Sequence, residues 1–301
     1  DIQLAGFTNL SRDHLDYHKD EADYLAAKQR LFTEVLSVDG TAVVTITSEA
    51  GQQIAAAAQR GRRVMRVGTP EADLYVELVS RQRDGLVLRA HFGDQQGEVT
   101  LPLVGDFQIE NVQLAMAMSL QLGCAWDDVL ASVSKLVAPL GRLQKSGETS
   151  AGAAVYVDYA HTPDALANAL TALRAHMQDN GALHLVFGCG GDRDAGKRPL
   201  MGEIAARLAA QIIVTDDNPR SEDSKAIIAE ITEGISETSL AEKSKAWLRD
   251  RKSGEKGFVS IGDRSRTISA AIEAATAEDI IIVAGKGHED YQLGNKGKRF
   301  F

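Results

Sequence analysis

Five short apolar runs in the second half of the chain, Ala154 to Val157, Leu183 to Phe187, Ile212 to Val214, Phe258 to Ile261 and Ile280 to Val283, alternate with amphipathic helical stretches. That alternation specifies an α/β domain with a parallel sheet and helices on both faces. Each run ends in a polar motif: Asp158-Tyr159-Ala160-His161-Thr162-Pro163, Gly190-Gly191-Asp192-Arg193-Asp194, Asp216-Asp217-Asn218-Pro219-Arg220, Gly262-Asp263-Arg264 and Gly285-Lys286-Gly287-His288-Glu289-Asp290. Parallel strands point one way, so all five motifs are expected on one edge of the sheet, where open α/β sheets bind ligands.

The first half mixes two patterns. A β-branched run at 41–47, an Ala-rich helix around 50–60 and a strand at 63–67 continue the α/β alternation. Between 72 and 104, alternating runs broken at Asp84-Gly85 and Gly93-Asp94 predict an antiparallel meander. Helices are expected at 107–122 and 127–137, and Cys124 lies in an apolar helical stretch. Pro139 and Gly141 mark the break between domains 1–139 and 140–301. Both ends read as cut: Asp1 opens inside an apolar segment without Met, and Arg299-Phe300-Phe301 reads as a strand in mid-course. The chain is therefore treated as a fragment.

With 301 residues and 44% hydrophobic content the chain is long enough for two domain cores. Its charge, 33 minus 42 or −9, includes no stripe of Lys and Arg, which argues against nucleic acid as a partner. Cys124 and Cys189 neither pair by motif nor show metal-ligand spacing. There is no membrane-length apolar run and no signal-peptide pattern. A soluble protein of the reducing cytoplasm is expected.

The segment Asp217-Asn218-Pro219-Arg220 follows a strand and precedes a helix start. As ordinary turn chemistry it would be a capping loop. As a receptor it suits a zwitterion, because Arg takes a carboxylate in a two-bond fork and Asp takes an ammonium; the matching ligand is an amino acid. Upstream, Thr8 to His18 holds His14, His18, Asp13 and Asp16, and Asp20 reads as an N-cap for a helix with Tyr24, Leu25, Lys28, Leu31 and Phe32 on one face. Lys28 on that stripe is either a snorkelling lysine or a desolvated amine able to become a carbamate and bind magnesium. His14 can share a site with it only if the chain turns near Tyr17 to Asp20, since one continuous helix would separate the two by ~21 Å. Gly191 to Lys197 has the frame of a phosphate-binding loop, but Arg198 and Pro199 stand where a hydroxyl should follow, so an independent nucleotide loop is not expected.

Together, Thr8 to His18, Lys28, Asp158 to Pro163, Gly188 to Asp194, Asp217 to Arg220 and Gly285 to Gln292 resemble the Mur ligase family over nearly the whole chain. The resemblance implies most of a central ATPase domain followed by a Rossmann-like C-terminal domain. The N-terminal nucleotide-sugar domain and the Gly-rich ATP loop are expected upstream, and the chain alone is expected to be inactive. It further implies that His14 and carbamylated Lys28 hold magnesium, that Asn111 meets adenine, that Asp158 holds ribose, and that Arg142, His161 and Lys197 lie on the phosphate side. Arg193, Asp217, Asn218, Arg220, Gly285 and Glu289 would surround the incoming amino acid. Gln108 and Gln144 depart from the Asn and Glu common at their positions. Arg220 points to members that add meso-diaminopimelate to UDP-N-acetylmuramoyl-L-alanyl-D-glutamate with ATP and Mg2+; separately, a monomer is expected. A folylpolyglutamate synthetase and a non-catalytic ligand-binding module are the alternatives.

Overall fold

The computed structural model describes residues 2–10, 19–250, 252 and 254–300. The chain divides into two compact units, Asp1–Leu136 and Val137–Phe301.

In the first unit β1 (Ile2–Phe7), β2 (Leu36–Thr45) and β3 (Arg63–Val67) run parallel, and β3 meets β4 (Leu74–Gln82) at one pair, Val67 with Leu74. The sheet continues through the antiparallel meander of β4, β5 (Gly85–Phe92) and β6 (Gln95–Leu101), so its order follows the chain. The helices are α1 (Glu21–Arg30), which runs on into a π-helical turn at Leu31–Val35, α2 (Glu49–Ala58), α3 (Phe107–Gln121) and α4 (Trp126–Val133). Asp20 caps α1 as expected, its carboxylate accepting from Asp23 N at 2.8 Å. Phe7, Phe32, Leu36, Val44 and Ile54 form a core between β1, β2 and α2.

Two local expectations differ. Gly85 is the first residue of β5 rather than a turn residue: it pairs with Gln82 across the turn at 83–84, and it must be glycine because a Cβ there would lie 2.3 Å from Leu101 O on the neighbouring strand. The helix expected over 127–137 stops at Val133, and Cys124 lies exposed in the α3–α4 connection.

In the second unit the parallel strands are β8 (Ala154–Asp158), β9 (Leu183–Phe187), β10 (Gln211–Val214), β11 (Gly257–Ser260) and β12 (Ile280–Ala284). β7 (Gln144–Glu148) adds an antiparallel edge, giving the order β11-β10-β9-β12-β8-β7. That edge strand was not expected: Gln-Lys-Ser-Gly-Glu has no apolar alternation, and polar residues suit an edge. From β8 to β9, β10 and β11 the chain moves in one direction across the sheet through α5 (Pro163–Arg174), α6 (Lys197–Leu208) and α7 (Ser224–Ser236). It then reverses through α9 (Arg264–Ala274) to reach β12, with α8 (Trp247–Asp250) lying before β11. Right-handed crossovers put connections of opposite direction on opposite faces. Val186, Ile213, Val259, Ile281 and Val283 accordingly share a core with Ala271 and Ala275 from the returning connection, and Leu248 of α8 joins it although α8 lies between β10 and β11 in the chain. The C-terminal run is a hairpin strand, β14 (Gly297–Phe300), paired with β13 (Tyr291–Gly294). Among the described residues, no helix is long and apolar enough to cross a membrane.

Candidate functional site

The five polar motifs leave the same edge of the second sheet, and three of them interlock. Lys286, only 4% exposed, follows β12 and reaches into the loop after β10. Its Nζ donates to Asn218 Oδ1 and to the Tyr291 carbonyl, both at 2.8 Å, and forms ion pairs with Asp217 Oδ1 at 3.2 Å and Glu289 Oε2 at 3.5 Å. The Asp217 approach is an ion pair without hydrogen-bond geometry, for Oδ1 has no hydrogen-bond partner. Asn218 spends its amide on the scaffold: Oδ1 also accepts from Leu293 N at 2.8 Å, and Nδ2 donates to Glu289 Oε2 at 3.1 Å. Beneath them Arg264 is 3% exposed and donates to the carbonyls of Ala284 and Asp216. Burial lowers its pKa despite the nearby Asp217, Asp216 and Glu289. Burial also raises the carboxyl of Asp216, against a hydrogen bond from Ser224 Oγ.

Arg220 is half-buried and adopts φ +51°, a left-handed conformation that a non-glycine residue takes only under constraint. The constraint is visible: Arg220 N donates to Leu293 O at 3.0 Å, and Nη1 donates to Gly191 O at 2.7 Å and Asn218 O at 3.3 Å. Arg193 is exposed on the neighbouring loop. Gly285 has φ +108°, and a Cβ there would lie 3.7 Å from Asp217 Oδ2, so its backbone stands beside that carboxylate.

On the β8 side, Asp158 is buried, and its oxygens accept from Leu143 N and Ala160 N, each at 2.7 Å. Burial raises its pKa, opposed by those two amides and by Arg142. The carboxylate thus clasps the turn before β7 to the loop after β8. Arg142 lies 5.1 Å from the Tyr159 ring centroid, with His161 at 4.7 Å and His288 at 5.9 Å from the same ring. Lys197 begins α6 and donates to the His161 carbonyl at 2.7 Å. A flat aromatic group bordered by a guanidinium and two imidazoles, with the Lys197 ammonium on the adjoining His161 carbonyl, suits an anionic heterocycle. Gln144 Oε1 accepts from Gly141 N at 2.9 Å, so the residue at that departure point holds the Gly-Arg turn.

In the first unit Asn111 is exposed on α3 and donates to Gln108 Oε1 at 3.2 Å. Lys28 is half-buried on α1, which buries none of its residues, and its Nζ lies 4.9 Å from the Tyr24 ring centroid. His14 lies outside the described residues. Among the described residues no three His, Cys, Asp or Glu side chains converge as a metal site.

Residues 1–119 match the Mur ligase middle domain, and residues 141–287 match the Mur ligase, glutamate ligase domain. The chain belongs to the Mur ligase family. It is 41% identical over 293 residues to the UDP-N-acetylmuramoyl-L-alanyl-D-glutamate–2,6-diaminopimelate ligase of Agrobacterium fabrum, covering 97% of this chain and 55% of that one. Against the enzyme of the same name from Bradyrhizobium diazoefficiens it is 43% identical over 297 residues, 97% of this chain and 56% of the other. This Mur ligase chain thus spans about half the length of the curated relatives it matches. A solved structure of a ligase with that name superposes with a TM-score of 0.71 at 34% identity, over 100% of this chain and 58% of its own. A folylpolyglutamate synthase structure from Thermotoga maritima gives a TM-score of 0.69 at 16% identity, over 94% and 57%, and shares the fold alone.

Within this Mur ligase chain, the structure draws Asp217, Asn218, Glu289 and Gly285 together, with Arg220 on the same loop. Lys286, Arg264 and Tyr159 are the site residues that sequence reasoning passed over. All three stood inside quoted motifs, and a lysine between two glycines after a buried strand was the available signal.

Proposed function

We propose that the protein carrying this chain is an ATP-dependent ligase that joins meso-2,6-diaminopimelate to the D-Glu carboxylate of UDP-N-acetylmuramoyl-L-alanyl-D-glutamate, a step in building peptidoglycan precursor. The observation that carries this is the Asp217 to Arg220 loop held against Gly285 to Glu289 at the sheet mouth, in a chain whose relatives bear that activity in their names. Arg220 would fork a ligand carboxylate with donors beyond the one committed to carbonyls, and Arg193 would add a second cation. Asp217 and Glu289 would take an ammonium, while Lys286 keeps the two carboxylates from repelling each other. Asn218 would act as the bracket that holds all three.

ATP is the co-substrate, and its γ-phosphoryl would turn the D-Glu carboxylate into an acyl phosphate for attack by the amine. Arg142, His161 and Lys197 would offset phosphate charge, and Asp158 retains lone pairs for a ribose hydroxyl beside the amides it already accepts. Asn111 keeps its proposed role toward adenine. For magnesium, a carbamate on Lys28 would be the hard oxygen donor and His14 its companion; when bound, the metal would neutralise charge building on the phosphates.

Ligation by the full-length protein with ATP, the UDP-linked dipeptide and a panel of amino acids tests this reading. Amide and ADP should form with meso-diaminopimelate; equal turnover with L-glutamate would point instead to a folylpolyglutamate-type enzyme. Lys28→Ala should lose most activity and regain part of it with short carboxylic acids, and 13C-labelled carbon dioxide should give a carbamate signal only in the wild type. Full activity of Lys28→Ala without rescue would remove the carbamate.

A further inference from the structure

Arg198, the residue that spoils the phosphate-loop pattern, is 1% exposed in the first turn of α6. Its guanidinium spans three elements: Nη1 donates to Glu230 on α7 at 2.9 Å, and Nη2 donates to Glu222 Oε1 at 2.9 Å and to the Gly190 carbonyl at 3.2 Å. Glu222 Oε1 accepts at the same time from Asp192 N at 2.5 Å. Asp192 in turn accepts from Ser221 Oγ at 2.6 Å and Ser221 N at 3.2 Å.

These bonds surround two residues in unfavourable backbone conformations. Asp192 at φ +52° and Arg220 at φ +51° lie on adjacent loops joined by these bonds, and such conformations persist only where the surrounding structure imposes them. The loops also touch too closely to move independently. A Cβ on Gly191 would fall 2.0 Å from Pro219 O, and one on Gly190 would fall 2.8 Å from Arg220 Nη1. Arg193 follows Asp192 directly, so the spacing of the two candidate carboxylate-binding guanidiniums depends on what clamps these loops.

We propose that Arg198 is a positioning residue for amino-acid recognition: through Glu222 and the Gly190 carbonyl it locks the loops of Arg193 and Arg220 at one separation. The inference rests on the proposed amino-acid site. Without the clamp, Asp192 and Arg220 relax toward negative φ and the guanidiniums lose their common target, whereas Arg142, Asp158 and His161 take no part in these bonds. A lysine cannot hold two glutamates and a carbonyl in one plane, so Arg198→Lys should restore only part of the effect.

Steady-state kinetics of the full-length enzyme with Arg198→Met, Arg198→Lys and Glu222→Gln tests this, with melting temperatures recorded for each. Glu222 is partly exposed, so Glu222→Gln serves if Arg198→Met fails to fold. The expected result is a rise in KM for meso-diaminopimelate on the order of 10- to 100-fold, with kcat and the KM for ATP nearly unchanged and Arg198→Lys intermediate. A lowered melting temperature with an unchanged amino-acid KM in Glu222→Gln would overturn the proposal, as would an equal rise in the KM for ATP. If the wild type used another amino acid, the substrate assignment would fail, and the positioning role would be read from the KM of that amino acid.

Discussion

Asp279→Ala is expected to destabilise the second unit by ~3 to 5 kcal/mol, because three donors lose their buried acceptor at ~1 to 3 kcal/mol for each group left unsatisfied. Asp279 is 1% exposed just before β12, and its Oδ2 lies 3.2 Å from Nε2 of the fully buried His184 on β9. Its oxygens also accept from Ala182 N at 2.7 Å, Thr276 N at 2.8 Å and Thr276 Oγ1 at 3.0 Å. Alanine would strand those donors without water. Calorimetric melting should show a fall in Tm on the order of 10 °C; a fall of only a degree or two would mean the pair is dispensable.

The same group gives stability a pH dependence of definite sign. Burial alone would raise the Asp279 pKa, but the close His184 imidazole and the amides of Thr276 and Ala182 outweigh it and hold the carboxyl well below its usual range. A carboxyl depressed in the folded state contributes stability that is complete above its unfolded pKa, ~4, and is lost as pH falls through the folded value. Asp279→Asn supplies one acceptor oxygen where the carboxylate had two. It should remove this part of the acid-side slope and leave the neutral side flat.

Arg220→Ala should cost meso-diaminopimelate a factor of roughly 10 to 150 in kcat/KM, equivalent to ~1.5 to 3 kcal/mol for a charge-assisted hydrogen bond. The guanidinium is anchored through Nη1 to two carbonyls and carries further donors for a carboxylate fork. Because that anchor presets its direction, little side-chain entropy remains to be lost on binding, and the loss should fall on KM. Arg220→Lys should recover charge but not the fork. L-lysine lacks the distal carboxylate and should change least. Efficient use of L-lysine by the wild type, or weakened ATP binding in Arg220→Ala, would show that the guanidinium serves another group.

Much of the fold was legible because buried strands announce themselves: runs such as Ile212 to Val214 and Ile280 to Val283 are apolar on both faces and matched the observed strands closely. β7 escaped because an edge strand needs no apolar code. Gly85 was misread because its reason lies on a strand sixteen residues away, where Leu101 leaves no room for a Cβ. At the site, motif residues could be named but not divided between ligand and scaffold. Asn218, expected to touch substrate, has its amide committed to Lys286, Leu293 and Glu289. Arg198 read only as a mismatch, since its partners on Glu222 and Glu230 lie far along the chain.

The strand order carries a consequence for synthesis on the ribosome. β12, the last strand of this sheet in sequence, lies between β8 and β9. Until residues 280–284 emerge, β8 and β9 cannot be joined, and each presents an unpaired hydrogen-bonding edge in the nascent chain. Non-local parallel pairing of this kind is slow and exposes edges to aggregation. The unit should therefore acquire protease resistance late and in one step, once β12 inserts, and holdase chaperones should protect the interval before it.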